Sequence, residues 1–354
     1  MLRVIVVGAG AVGASIAYYL ALRGASGVVL ADRAEVASGQ TAKAFGGVRQ
    51  QFSTAAEVTL ARESVGFFEE LDATLFQQVG YLFLATTEQG LADLNARVRI
   101  QQELGVAVEQ VDPARVTELA PGVGADDVLG GVFGPADGLA DPAAVTRELV
   151  RRAVSLGVEV REQTDVRGIE ADVRVIACGP ASADAGSYFG VDLPIRPLIR
   201  QLIATAPVAG IPDRLPMVIE SETGFHFRRR RDHVVIAMAD ESPRWGSEPA
   251  VDGEVIQDRL ERLGVRFPPA AGALAANAWA GLYDMTPDAH PIIDRLGDGL
   301  FCACGFSGHG FMQSPAVGRA VAELVLDGGS ALDLGPFRLA RFVEGADARE
   351  QVVL

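Results

Sequence analysis

The run VIVVGAGAVG, from Val4 to Gly13, constrains the fold of this chain more than any other stretch. A short β-branched run that ends directly in glycine reads as a buried parallel strand, here over Leu2 to Val7. A helix follows from about Ala11 to Arg23, with Gly24 as its stop, and a second strand, Gly27 to Leu30, leads to Asp32. This is one βαβ unit. Within it Gly8, Gly10 and Gly13 form G-x-G-x-x-G. Gly8 allows the tight turn, Gly10 lets a pyrophosphate reach the backbone, and Gly13 lets helix and strand pack closely. The helix start at Ala11 and Val12 offers amides and the positive end of its dipole to phosphates. Asp32 lies 19 residues beyond Gly13, followed by Arg33, and a carboxylate at that strand end takes ribose hydroxyls. The unit predicts a dinucleotide site without separating NAD from FAD.

The rest of the chain alternates between two textures. Helices are expected over about Thr54 to Leu71, Glu88 to Leu104 and Pro142 to Leu156, with a strand candidate at Gly80 to Thr86. "VRVIACGP" reads as a second fully buried strand that ends at Gly179 and Pro180. After Pro194 the segments "IRPLIRQLIATAP" and "GFHFRRRRDHVVIAMAD" alternate and read as antiparallel strands. A helix over about Asp252 to Leu263 follows. The strand "GLFCACGF" and a helix over about Ser314 to Leu326 return to the first texture. The expected class is α/β plus α+β: a discontinuous Rossmann-like dinucleotide-binding domain (1–75, 140–190, 290–354) with an inserted antiparallel-sheet substrate domain (76–139, 191–289).

Composition narrows the function. A net charge of −15 argues against a general nucleic-acid binder, which needs a basic surface. Three cysteines, Cys178, Cys302 and Cys304, imply no disulfide framework. No apolar run reaches the roughly 18 residues of a membrane span, no signal peptide is visible, and the expectation is a soluble cytoplasmic protein. No histidine–acid spacing points to a metal. The run Arg228 to Arg231 reads as a solvated hairpin tip, with a docking patch for a partner subunit as the alternative.

Three further motifs carry a resemblance: "TAKAFGGVRQQFS" (Thr41 to Ser53), "WAGLYDMTPDAHPIID" (Trp279 to Asp294) and "GFSGHGFMQSPAVGRAVAEL" (Gly305 to Leu324). Together they resemble the D-amino-acid-oxidase-like FAD family, in the branch of sarcosine oxidase, glycine oxidase and the catalytic subunit of dye-linked proline dehydrogenase. The resemblance implies noncovalent FAD as cofactor. It places Gly305, Ser307, Gly308, His309, Gly310 and Phe311 beside the flavin ring, where amides face charge that forms on reduction. It puts Thr41, Lys43 and Ala44 on the loop around the pyrophosphate, and Val166 at the adenine. Gly179 and Pro180 match the strand end that closes the groove. For substrate it implies Arg49 as the carboxylate's partner, with Phe227, Tyr283 and Met312 around it. A structural ion pair is the alternative for Arg49, plain core for Phe227 and Tyr283, and a structural role for His309, which has no assigned catalytic part.

Departures from the family's pattern refine these expectations. Where relatives with covalent flavin carry a cysteine, this chain has Gly281, so FAD is expected to be dissociable. The strand His233 to Asp240 has no counterpart of the relatives' oxygen-promoting lysine, which points to a dehydrogenase or a slow oxidase. Met312 replaces a carboxylate-binding lysine. The stretch between Thr164 and Val173 is about a dozen residues short of the family pattern. The implied activity is oxidation of a small secondary amine or amino acid (sarcosine, an N-methyl amino acid or a proline-like compound), with oxygen or another acceptor. The alternatives are a primary amino-acid or 2-hydroxyacid oxidoreductase, or a flavoprotein subunit or assembly factor without activity of its own.

Overall fold

A computed structural model describes residues 2–345 and 349–354. Strand β1 (Val4–Val7) is buried throughout and pairs in parallel with β2 (Val28–Ala31) on one side and with Val173–Ile176 on the other. Helix α1 (Ala11–Leu22) connects β1 to β2, and Gly24 after it takes a φ of +87°. Six strands form this sheet, in the order Ile292–Gly297, Leu300–Cys304, Val173–Ile176, β1, β2, Glu159–Arg161. Only the hairpin of its first two strands is antiparallel. Helix α2 (Ala55–Glu69), capped by the Thr54 hydroxyl, and the later helix α3 (Gly310–Asp327) pack together, and α3 also lies along α1.

The second sheet has eight strands. One half of it, from its edge inward, is built from the long β5 (Ala275–Met285), β3 (Arg196–Thr205), His233–Ala237 and β4 (His226–Arg230). These pair antiparallel, as their alternating sequences predict. The expectation of a purely antiparallel sheet fails at one place: Met217–Glu220 runs parallel to Tyr81–Ala85. Both are short, continuous apolar runs. Such runs carry no alternation from which strand direction could be read.

Two other expectations are corrected. Helix α3 begins at Gly310, not near Ser314, and encloses Pro315. Proline lacks the N–H that would reach the carbonyl of Phe311. The Ser314 hydroxyl donates to that carbonyl instead, at 2.9 Å. The Ser64 hydroxyl of α2 enters the same break, accepting from Ala316 N and donating to Gln313 O. The arginine run is not one exposed tip either. Arg228 lies inside β4, buried, 5.4 Å from the Phe45 ring, and burial pushes its guanidinium down to about 10. Arg231, with φ +60°, makes the turn.

Cys302 and Cys304 are buried together in a small core with Ile176 and Ile292. Among the described residues no helix is long and apolar enough to cross a membrane, and no cluster of acids, histidines and cysteines has the form of a metal site.

Candidate active site

One cavity of about 1490 Å³ begins where β1, β2 and Val173–Ile176 end and continues to the face of the second sheet. Carboxyl ends of parallel strands are where open α/β sheets bind ligands. Gly8, Gly10, Ala11, Val12, Asp32, Arg33, Thr41, Lys43, Ala44, Val166, Gly179 and Pro180 all line it. Gly8 has φ +108°, and a Cβ there would lie 2.3 Å from the carbonyl oxygen of Ala177. Gly13 is not on the wall; a Cβ there would meet the Gly8 carbonyl at 1.8 Å, so its part is to seat α1 on β1.

Side chains hold this end open. The Thr41 hydroxyl accepts from Ala11 N at 3.1 Å, and the Asp32 carboxylate accepts from Ala9 N at 2.7 Å and Ala34 N at 2.8 Å. A carboxylate has about four acceptor positions, so two amides leave capacity for hydroxyls on the cavity side. A cradle too tight for a Cβ, a helix start and a carboxylate with spare acceptors fit the diphosphate and ribose of FAD.

At the other end, strand register builds the wall. His226, Ala237 and Leu202 stand opposite one another across three strands, and all three line the cavity. One residue along, Phe227, Ile236 and Ile203 pair on the opposite face, in a separate core. Phe227 is therefore corrected: it packs against Phe267 at 5.5 Å, behind the sheet. Two residues back from Leu202, Arg200 pairs with Gly281, and both line the cavity with Tyr283. Gly308, Gly310 and Phe311 close the wall at the start of α3, where the first amides of a helix have no acceptor within it.

His226 is a neutral acceptor on this wall. Its Nδ1 lies 2.7 Å from the Gly224 carbonyl, so it carries the proton and donates it. Nε2 is then left with a lone pair. Burial, helped by the charges of Arg49 and Arg200 and opposed by the Gly224 bond, pushes the imidazole down to about 4. The Tyr283 hydroxyl donates to Leu354 O at 2.8 Å, and burial raises its pKa.

Several expected residues sit elsewhere. Arg49 is 2% exposed and does not line the cavity. Its guanidinium donates to the carbonyls of Gln51 and, at 2.7 Å, Val352, and stacks 3.9 Å over Phe52. His309 lies behind it, with Nε2 3.2 Å from the same Val352 carbonyl, and burial holds its pKa well below the usual range. Met312 packs in the main core. Gly305 N donates to the Asp284 carboxylate and Ser307 N to the Asp284 carbonyl, so these two amides are already used. None of the five lines the cavity. Conversely, Arg200 and His226 were not singled out from sequence. Arg200 had a readable signal: it is in phase with Leu198 and Leu202, an arginine in the inward register of an apolar strand.

Comparison with known proteins places this geometry. A family model described as FAD dependent oxidoreductase matches residues 3–324. "FAD-dependent oxidoreductase domain-containing protein 1" of Bos taurus is 28% identical, over 99% of this chain and 87% of that protein. Glycine oxidase of Geobacillus kaustophilus is 26% identical, over 96% of this chain and 97% of that protein. The crystal structure of L-proline dehydrogenase from P. horikoshii superposes with a TM-score of 0.92 at 27% identity, covering 98% of this chain and 99% of that one.

Proposed function

Because the chain belongs to the FAD dependent oxidoreductase family, we propose that it oxidises a small secondary amine or amino acid, of the sarcosine or proline type, with noncovalent FAD. The observation that carries this reading is His226. It is a neutral imidazole with its Nε2 lone pair free, in the same cavity as the glycine-rich turn. Bound FAD supplies the acceptor for the hydride that leaves the amine-bearing carbon.

The chain's own residues supply the conditions for that transfer. Phe45, Leu202, Ala237 and Phe311 line the cavity, and an apolar wall disfavours an ammonium relative to a free amine. His226 Nε2 accepts an N–H of that amine and orients it. The start of α3 at Gly310 and Phe311 presents amides and the positive end of its dipole to negative charge that builds up on reduction. Gly281, on the wall next to Lys43, offers no side chain for a covalent link. The strand His233–Ala237 carries no lysine, which favours an acceptor other than oxygen.

The test is anaerobic. Protein loaded with FAD is mixed with sarcosine, proline, glycine and a 2-hydroxyacid while flavin absorbance is followed, and air is then admitted. Bleaching by a secondary amine with slow return in air is expected. Protein that takes up no FAD, or flavin bleached only by the 2-hydroxyacid, overturns the reading.

A further inference from the structure

We infer that Arg200, and not Arg49, anchors the substrate's carboxylate, so that the site selects amines that carry one. This rests on the amine-oxidising reading above and names the part of the substrate that reading leaves open.

The two arginines differ in what they have free. The Arg49 guanidinium is covered by protein carbonyls and by the Phe52 ring, and it is not on the cavity wall. Arg200 is on the wall. Its Nε and Nη1 are buried and have no hydrogen-bond partner among the described residues. A desolvated guanidinium nitrogen without an acceptor is unfavourable. Both nitrogens are closed to solvent as the side chain stands, so a ligand in the cavity supplies the missing acceptor once the guanidinium turns toward it.

Other cations on the wall are placed differently. Arg167 pairs with Asp165 at 2.5 Å, and Arg33 adjoins Asp32 at the dinucleotide end. Lys43 is a point charge across from Gly281, whereas a guanidinium meets a planar carboxylate with two parallel bonds.

Neighbours give the anchor a direction. The Arg200 guanidinium lies 5.6 Å from the centre of the Tyr283 ring, and Tyr283 is held by Leu354. His226 stands on the same face, with the strand His233–Ala237 between β4 and β3. A small α-amino acid held at Arg200 keeps its amine on the wall that carries the His226 lone pair, and its rotation about the carboxylate is restricted. An amine without a carboxylate loses that anchor and leaves the guanidinium unpaired.

The test uses FAD-loaded protein and two pairs of probes. Anaerobic flavin reduction is compared for proline against prolinamide and sarcosine against sarcosinamide, in the parent and in Arg200→Met and Arg200→Lys. Calorimetry measures binding of cyclopentanecarboxylate, which has no nitrogen to oxidise. The parent should prefer each acid over its amide. Arg200→Met should weaken the acids about 10- to 100-fold, the range of a charge-assisted pair, leave the amides little changed and abolish cyclopentanecarboxylate binding; Arg200→Lys should recover part of it. Unchanged acid preference in Arg200→Met overturns the assignment, as does its loss in Arg49→Lys alone. If cyclopentanecarboxylate binds through Arg200 but no amine bleaches the flavin, the anchor stands and the amine-oxidising reading falls.

Discussion

Alanine at Gly308 tests whether the turn into α3 and the Tyr283 wall are one mechanical unit. Gly308 has φ +96°, a region that costs an L-residue roughly 1–2 kcal/mol. A Cβ there would lie 2.4 Å from Cε2 and 2.6 Å from Cζ of Tyr283. The ring has little room to yield. Its hydroxyl is tied to Leu354 at 2.8 Å, and Arg200 stands beside its ring. Overpacking of this kind costs about 1–3 kcal/mol, for a total of about 2–5 kcal/mol. Unfolding entropy of roughly 2.1 cal/mol/K per residue over 354 residues converts each kcal/mol to about 1.3 °C. Gly308→Ala should therefore lower Tm by about 3–7 °C in a thermal scan and weaken retention of FAD. Tyr283→Ala removes the clash but not the backbone strain. In that background the glycine substitution should cost only about 1–2 kcal/mol. An equal loss of Tm in both backgrounds would refute the steric coupling, and no loss in either would refute the strain argument as well.

Two shorter predictions concern the second sheet. The His226 pKa falls from its usual 6.5 to about 4 on folding, so the unfolded chain takes up a proton that the folded chain refuses. The resulting loss of stability is absent above pH 6.5, grows as pH falls towards 4 and reaches about 3 kcal/mol; His226→Gln should flatten that acid limb in denaturant titrations across the range. Phe227→Ala should cost about 3–5 kcal/mol of stability, seen as a lower Tm, with KM for the amine unchanged in the folded fraction, because the ring packs with Phe225 and Phe267 behind the wall; a KM effect without loss of stability would return Phe227 to the substrate side.

The βαβ start was legible because its signals are local. The apolar strand, the glycine spacing and the acid at Asp32 lie within one stretch, and each acts through backbone geometry that short spacings encode. The extents of α1 and α2 were legible for the same reason, through Gly24 after the one and Thr54 before the other. The start of α3 was not. Pro315 reads as a first-turn residue, and only the hydroxyls of Ser314 and Ser64, the latter on another helix, let the chain stay helical through it.

At the substrate end the deciding contacts are long-range. Arg49 follows the loop motif in sequence, but what removes it from the wall is the carbonyl of Val352, some 303 positions away. The fate of Phe227 against His226 turned on one step of strand register, and a one-residue step exchanges the two faces of a sheet. The pairing with His233–Ala237 sets that step, and through it His226 shares a row with Leu202. Arg200 follows from the same row: two positions before Leu202 on β3 and paired with Gly281 of β5, it shares the face that lines the cavity. Gly281 therefore does two things at once. It offers no cysteine to tether a flavin, and it leaves room for the side chains of Gln40 and Lys43, which a Cβ there would meet at 3.2 and 3.3 Å. A bulky residue there, as in Gly281→Leu, should then displace Gln40 and Lys43 and weaken flavin retention, measured as FAD released on dilution; unchanged retention would refute the need for space at this position.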